Sequence, residues 1–237
     1  MWKSAGKIAL ATAVFAVFHS AVASRAAKQA ASRLLGERRR NAFYRPFYIA
    51  QSLAAFAALG LYARSLPDRT LYHVRGRAAL PMRAGQLAAL AYAVHAARQV
   101  GLRRMLGVNG LTSYLSGGQQ VLPEPESQGP AIAEDGEMRV TGAFRFSRHP
   151  LNFAPLPIFL LNPKMTVQLA AFLGVSSVYF VLGSMHEEHR LRMAYGESYD
   201  RYIRSGVPFY LPRATPGPQH AVRVDPARHG ADSTEAA

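Results

Sequence analysis

The stretch FRFSRHPLNFAPLPIFLLNP, residues Phe144 to Pro163, joins a cluster of cations to a proline-rich apolar run. Pro150 suits the first turn of a helix, because the N–H that proline lacks has no partner there. We therefore expect a helix to begin at Pro150, with His149 at or near its cap. The apolar run gives about 12 helical residues, or ~18 Å, against ~30 Å of membrane hydrocarbon. Arg148 and His149 are thus predicted to lie at the rim of an apolar layer.

Beyond this stretch, apolar runs alternate with basic connectors. Uncharged stretches cover Ile8 to Ser24, Pro46 to Ala63, Ala84 to Ala97, Leu151 to Pro163 and Met165 to His186. About 20 apolar residues cross the hydrocarbon as a helix, so the first, second and fifth runs are long enough. The third reaches this length if Arg83 and Arg98 extend to the interface. A soluble bundle would need more amphipathic surface. We predict an all-α, polytopic membrane helical bundle with about five transmembrane helices.

The distribution of charge predicts an orientation. Only Lys3 and Lys7 precede the first run, whereas the connector after it carries Arg25, Lys28, Arg33, Arg38, Arg39, Arg40 and Arg45. Basic connectors stay in the cytoplasm, which predicts an outside N-terminus and a cytoplasmic C-terminus, as in a bacterial inner membrane. The second connector is more basic than its predicted outside position explains, with Arg64, Arg69, Arg75, Arg77 and Arg83. The net charge of +14 fits contact with anionic membrane lipid, and no nucleic-acid-binding motif accompanies it.

Two segments have the composition of loops. Residues Gly117 to Met138 gather acids, prolines and glycines, which predicts a flexible cytoplasmic loop. Residues 214–237 contain almost no large apolar side chain and are predicted to form a disordered tail. Residues 1–213 are then one membrane domain. The chain has no cysteine, which excludes disulfides and thiolate metal sites.

The segment GSMHEEHRLRMAYGESYDRYIRSGVPFYLP, Gly183 to Pro212, places two acids directly after the fifth run. Adjacent acids at a membrane rim are costly unless they are paired. A turn between the fourth and fifth runs makes an antiparallel helical hairpin, which brings Glu187 and Glu188 towards Arg148 and His149. A salt-bridged hairpin that only fixes helix register would explain the same charges. Beyond the acids, one face of an amphipathic cover helix is predicted from Leu191, Tyr195, Tyr199 and Tyr202.

These residues resemble a known family. GAFRFSRHPLNF, the apolar hairpin and the Glu-Glu, Gly-x-x-Tyr-x-x-Tyr and Val-Pro motifs after it are similar to the C-terminal signature of the isoprenylcysteine carboxyl methyltransferase and phospholipid methyltransferase superfamily of integral membrane enzymes. The resemblance is clear over residues 142–212. FHSAVAS and YRPFYIAQSL, nearer the N-terminus, resemble the NnrU-like and methanethiol S-methyltransferase branch. Asn152 and His189 depart from the pattern, which commonly has Tyr and Arg there.

The resemblance implies S-adenosylmethionine as cofactor and methyl transfer to a small thiol, a prenylated compound or a lipid at the cytoplasmic membrane face. Carboxylates accept hydrogen bonds from the ammonium and ribose hydroxyls of this cofactor, arginine binds its carboxylate, and aromatic rings attract its sulfonium. The implied cofactor-binding residues are Arg148, His149, Glu187, Glu188, Tyr195, Tyr199 and Tyr202. A thiol must also lose a proton, for which His149 and Glu187 are the candidate catalytic bases.

Two histidines within predicted spans support a different function. His19 and His95 are candidate axial ligands of a haem, as in a haem-binding NnrU-like protein that acts as an isomerase or in denitrification. Histidines in such positions more often form hydrogen bonds between helices. A non-catalytic membrane protein of the same fold is a third hypothesis.

Overall fold

The computed structural model describes residues 2–121, 128–132 and 137–223. Over these residues the α-helices are α1 (Trp2–Ala23), α2 (Arg25–Leu35), α3 (Glu37–Arg64), α4 (Leu80–Val100), α5 (Leu102–Met105), α6 (Val108–Leu115), α7 (Pro150–Phe153), α8 (Pro155–Leu160), α9 (Val167–Tyr195) and α10 (Glu197–Arg204). The strands are β1 (Thr70–His73), β2 (Ala131–Ile132), β3 (Glu137–Val140), β4 (Lys164–Thr166) and β5 (His220–Arg223).

Three helices are long and apolar enough to cross a membrane, namely α1, α3 and α9. They correspond to the first, second and fifth predicted runs, so the helical membrane fold is confirmed in these elements. Helix α4 covers the third run with 21 residues, but it carries Arg83 and Arg98 and its crossing stays a prediction. The fourth run forms only the short helices α7 and α8, which together extend ~16 Å. It is too short to cross the hydrocarbon as one helix, so a crossing of the fourth run stays a prediction.

Two small antiparallel sheets accompany the helices and were not part of the predicted all-α class. Strand β1 pairs with β4, and β3 pairs with both β2 and β5. Strands of two to four residues show no alternation that a sequence pattern could reveal. Strand β5 also differs from the predicted disordered tail, since His220 and Val222 pair with Val140 and Met138. Residues 224–237 and most of the acidic segment of the predicted loop lie outside the described residues.

The chain divides into two compact units. The first consists of Met1–Gln86, Arg103–Pro125 and Phe159–Tyr179. In it, the Tyr44 hydroxyl on α3 donates to the Val22 carbonyl of α1 at 2.6 Å. The Nε of Arg45 donates to the Met105 carbonyl of α5 at 2.9 Å. These contacts fasten the connectors around α3.

The second unit consists of Leu87–Leu102, Glu126–Ile158 and Phe180–Ala237. Its core is built from the three-stranded sheet, the segment before α7, the end of α9 and α10. Side chains with less than 2% exposure form this core: Met138, Val140, Phe144, Leu191, Tyr199, Tyr202 and Val207. The candidate site lies entirely in this unit.

Replacement of Gly110 by alanine is expected to destabilise the first unit. A Cβ at Gly110 would lie 2.6 Å from the Asn41 carbonyl oxygen of α3, so α6 would have to move away from α3. Such overpacking costs about 1 kcal/mol or more. Gly60→Ala is the matched control, because its Cβ meets no atom within 4 Å. Thermal melting of the purified protein should show a loss for Gly110→Ala only, and equal melting of the two variants would contradict this packing.

Candidate functional site

The site begins where the backbone enters α7. Pro150 occupies the first turn of α7 and His149 its N-cap, as the sequence predicts. The Ser147 hydroxyl donates to the Tyr210 carbonyl at 2.8 Å and accepts from the His149 N–H at 3.1 Å. The Arg148 N–H donates to the Pro208 carbonyl at 2.9 Å. The backbone that presents Arg148 and His149 is therefore held by the segment after α10.

Arg148 forms a forked contact with Glu188 of α9. Its Nε lies 3.1 Å from Glu188 Oε2 and its Nη2 lies 3.4 Å from Oε1. Its Nη1 donates to the Val207 carbonyl at 2.9 Å. The two side chains are only 12% and 13% exposed, so this ion pair is shielded from water. The predicted meeting of the cations before α7 with the acids of α9 is observed.

His149 lies between the two acids. Its Nδ1 is 3.4 Å from Glu187 Oε2, and its Nε2 is 3.3 Å from Glu188 Oε2. The Phe209 ring meets the imidazole edge to face at 5.0 Å between centroids. His149 is 3% exposed. With a carboxylate at each ring nitrogen, the imidazole is best accommodated as a cation that donates from both nitrogens.

Glu187 is the more deeply buried of the two acids, at 8% exposure. Besides His149, it accepts the backbone N–H of Gln128 at 2.6 Å on Oε1. Asn152 donates from Nδ2 to Glu187 Oε2 at 3.0 Å and to the Ser184 hydroxyl at 3.0 Å. Each carboxylate oxygen therefore has a donor, as a buried charge requires.

Sequence reasoning predicted His149 beside Glu187 but missed two other partners of this acid, Gln128 and Asn152. Gln128 belongs to the segment that was predicted to be a flexible loop, where no periodicity marks a contact. In the sequence, Asn152 stands out only as a departure from the family pattern, and the structure places it in the site. His189, the other departure, is exposed on α9. Phe209, in the VPFYLP motif, also adds a ring over the Arg148 guanidinium at 5.7 Å.

The cluster shifts the titration of His149. Burial by itself would lower the pKa of His149, but hydrogen bonds and charge attraction from Glu187 and Glu188 outweigh burial and raise the pKa above its ordinary value. The raised pKa favours the protonated form of His149. In that state both ring nitrogens donate hydrogen bonds to the acids, and neither nitrogen can accept a proton.

This raised pKa predicts a pH-dependent stability. A raised folded-state pKa gives a stabilisation that is complete below the unfolded-state value of about 6.5 and is lost as the pH rises through the folded-state pKa. We expect the melting temperature of the wild type, relative to His149→Gln, to be highest near pH 6 and to decline towards pH 9. A difference that stays constant over this range would show that His149 does not titrate between the acids.

The predicted tyrosine face is present but is divided between two helices. Helix α9 ends at Tyr195, and Gly196 has a φ of 55° before α10 begins. The Tyr195 hydroxyl donates to the Pro130 carbonyl at 3.2 Å, and the Tyr202 hydroxyl donates to the Phe144 carbonyl at 2.5 Å. These two tyrosines are therefore committed to the fold. The prediction of one continuous cover helix is wrong, because the chain turns at Gly196.

Tyr199 differs from the other two tyrosines. Its side chain is fully buried, yet among the described residues its hydroxyl has no hydrogen-bond partner. Burial raises the pKa of Tyr199 above its ordinary value, so the hydroxyl keeps its proton. A buried hydroxyl without a partner is unfavourable by about 1–3 kcal/mol. Of the three tyrosines, Tyr199 is thus the one whose hydroxyl makes no hydrogen bond to the described residues.

The predicted haem ligands are engaged in other contacts. His19 Nδ1 lies 3.0 Å from the Ser52 hydroxyl, and its Nε2 lies 2.5 Å from the Tyr48 hydroxyl. Both ring nitrogens are therefore used in hydrogen bonds, as histidines between membrane helices commonly are. In the second unit, His95 Nε2 lies against Gly142, where an added Cβ would be 2.4 Å away. This packing gives the haem hypothesis no support.

Comparison with known proteins gives a partial and distant match. No family model matches the chain, and no solved structure matches it. The chain is 35% identical over 92 residues to a methanethiol S-methyltransferase of Pseudomonas deceptionensis. It is 33% identical over 69 residues to a methanethiol S-methyltransferase of Crocosphaera subtropica. These matches cover 38% and 29% of this chain and 35% and 27% of the relatives, so the chain spans about a third of their length or less.

Proposed function

We propose that this protein transfers a methyl group from S-adenosylmethionine to a small thiol at the cytoplasmic face of a membrane. The observation that supports this most is the shielded cluster of Arg148, His149, Glu187 and Glu188, which the sequence resemblance associates with the cofactor. The partial similarity to methanethiol S-methyltransferases favours a small thiol over the prenylated and lipid acceptors. The three apolar helices support a membrane location.

The donors and acceptors of the cluster fit this cofactor. Over the described residues Arg148 uses three of its N–H groups on Glu188 and Val207, and a guanidinium has five, so two are left there for a carboxylate. Glu188 is the less buried acid and is a suitable acceptor for an ammonium or a ribose hydroxyl. The Tyr199 hydroxyl adds a buried donor that has no hydrogen-bond partner in the described part of the chain. When bound, S-adenosylmethionine supplies a methyl group made electrophilic by the sulfonium.

The remaining residues orient this binding set. Glu187 holds His149, and Asn152 and Gln128 hold Glu187, so the imidazole cannot rotate freely. Precise alignment of reacting groups supplies most of the acceleration in such a displacement, about 7–11 kcal/mol at best. Tyr195 and Tyr202 support the site through the fold, since their hydroxyls bind backbone carbonyls.

The role of His149 is revised by its surroundings. A thiol reacts as its thiolate. Because the acids favour protonated His149, we assign it to the stabilisation of a thiolate that has already lost its proton to solvent, and not to removal of that proton. Glu187, the other predicted base, already accepts hydrogen bonds from Gln128, Asn152 and His149. These bonds favour its charged form and make it a weak base.

The decisive experiment combines cofactor binding with methyl transfer. The full chain, purified in detergent, should bind S-adenosylmethionine saturably in a calorimetric titration. With methyl-labelled cofactor it should convert methanethiol to labelled dimethyl sulfide. A prenylated cysteine and a phospholipid, offered in parallel, test the other acceptor classes. Binding with transfer only to one of these would replace the thiol assignment, and absence of cofactor binding would reject the proposed function.

A further inference from the structure

A cavity of about 490 Å³ lies in the first unit next to the β1–β4 sheet. Its lining includes three cationic side chains, a histidine and two amides, namely Arg75, Arg83, Lys164, His73, Gln86 and Asn162. All of these residues belong to the first unit, and none belongs to the cluster around His149. Two of the three cations come from the second connector, whose high positive charge the positive-inside rule does not explain.

The fold concentrates these cations by pairing two connectors. Strand β1 follows α3 and β4 precedes α9, and their register sets His73 opposite Lys164. The Val74 N–H donates to the Pro163 carbonyl at 2.8 Å and extends this pairing by one residue. Gly76, with a φ of 59°, then turns the chain into the 3₁₀ turn Gly76–Ala79 that leads to α4. The first helical turn of α4 supplies Arg83 to the same cavity.

The cavity has an excess of positive charge. Residues 64–83 together with Lys164 contain six cations and one acid, Asp68. Asp68 is occupied, because its Oδ1 accepts the backbone N–H groups of Arg69 and Gln168. Within the described part of the chain, no carboxylate forms a salt bridge with Arg75, Arg83 or Lys164. Like charges gathered around one cavity repel each other unless an anion joins them.

The hydrogen bonding of His73 indicates which nitrogen of its imidazole carries the proton. Arg75 Nε donates to His73 Nδ1 at 3.1 Å, so Nδ1 is the unprotonated nitrogen of this imidazole. The proton of the neutral ring is therefore on Nε2. The cavity thus combines two guanidinium groups, an ammonium and an imidazole N–H. A tetrahedral oxyanion with several acceptor oxygens matches this set better than a single carboxylate does.

We infer that this cavity binds a phosphate group, carried either by a phospholipid headgroup or by a soluble phosphate. The inference is independent of the methyl-transfer proposal, since it uses no residue of that site. It gives the basic second connector a function that its predicted position outside the membrane leaves unexplained. Both sources present the same phosphate oxygens to Arg75, Arg83 and Lys164.

The test uses the purified full chain and its thermal melting. One arm adds inorganic phosphate, with sodium chloride at equal ionic strength as the reference. The other arm adds short-chain phosphatidylglycerol, with a diacylglycerol of the same chains as the reference. We expect a saturable rise in melting temperature, with a half-saturating concentration at least about tenfold higher in Arg75→Gln/Arg83→Gln. Melting in chloride alone verifies that this variant is folded.

Arg77→Gln is the matched control, because Arg77 is an exposed cation of the same connector that does not line the cavity. Stabilisation by both probes in the wild type identifies a soluble-phosphate site, and stabilisation by the lipid alone identifies a headgroup site. Either result upholds the inference if the Arg77→Gln variant is stabilised by the same probe as the wild type. No stabilisation by either probe, or an equal loss in Arg77→Gln, would overturn it.

Discussion

Replacement of Glu188 by glutamine is expected to weaken S-adenosylmethionine binding by about 1.5–3 kcal/mol, the range of a hydrogen bond to a charged group. Both carboxylate oxygens of Glu188 accept hydrogen bonds from Arg148, and one also accepts from His149. Glu188 is also the less buried of the two acids. Glutamine keeps its shape but removes the charge that attracts an ammonium. Calorimetric titration of purified wild type and variant measures the change in affinity directly.

The control for this experiment is His189→Gln on the neighbouring position of α9. His189 is exposed, so its replacement should leave cofactor affinity unchanged. The melting temperature of each variant shows whether the fold persists. If Glu188→Gln binds the cofactor as tightly as the wild type while both remain folded, the cofactor does not contact this acid and the assigned pocket is wrong.

Replacement of Glu187 by alanine is expected to lower the free energy of unfolding by about 3 kcal/mol, at the low end of the range for breaking a buried ion pair. The change leaves the Gln128 N–H without its acceptor, removes one of the two acceptors of the Asn152 amide, and removes one of the two acids beside His149. Glu188 still faces the other ring nitrogen, which limits the loss. Thermal and denaturant unfolding in detergent measure it.

A double-mutant cycle with His149→Ala separates the ion pair from simple loss of packing. Because the two residues stabilise each other, the double variant should lose less than the two single variants lose together. Asn41→Ala, which removes a hydrogen bond to the Val121 carbonyl in the first unit, is the control pair and should be additive with Glu187→Ala. Strict additivity of His149→Ala and Glu187→Ala would mean that the observed contact contributes nothing to stability.

The membrane helices were predictable because the physics that selects them is visible along the chain. A helix that crosses hydrocarbon needs a long run without charge, and α1, α3 and α9 have such runs. Helix α4 is harder to predict as a membrane helix, since Arg83 and Arg98 lie inside it. The fourth run illustrates the limit of composition, because its prolines permit only the short helices α7 and α8.

The charged centre of the site was also predictable, since acids and cations at the boundary of an apolar layer are unfavourable unless they form ion pairs. Its surroundings were not. The Gln128 N–H and the Val207 carbonyl are backbone groups, and any residue type can supply them. The turn at Gly196 looked like one position in a continuous helical face, because spacing alone does not distinguish one helix from two. Strand pairing between residues 137–140 and 220–223 joins segments too distant for a local pattern to connect.

Strand β5 has a practical consequence for expression and tagging of this protein. A fusion made at Arg213, directly after the last apolar motif, would remove residues 220–223 and leave the backbone N–H and C=O groups along one edge of β3 without their partner strand. Unpaired strand edges promote association between molecules. Affinity tags and reporter proteins are therefore better attached after Ala237, and a truncation for crystallisation should retain the chain through Arg223.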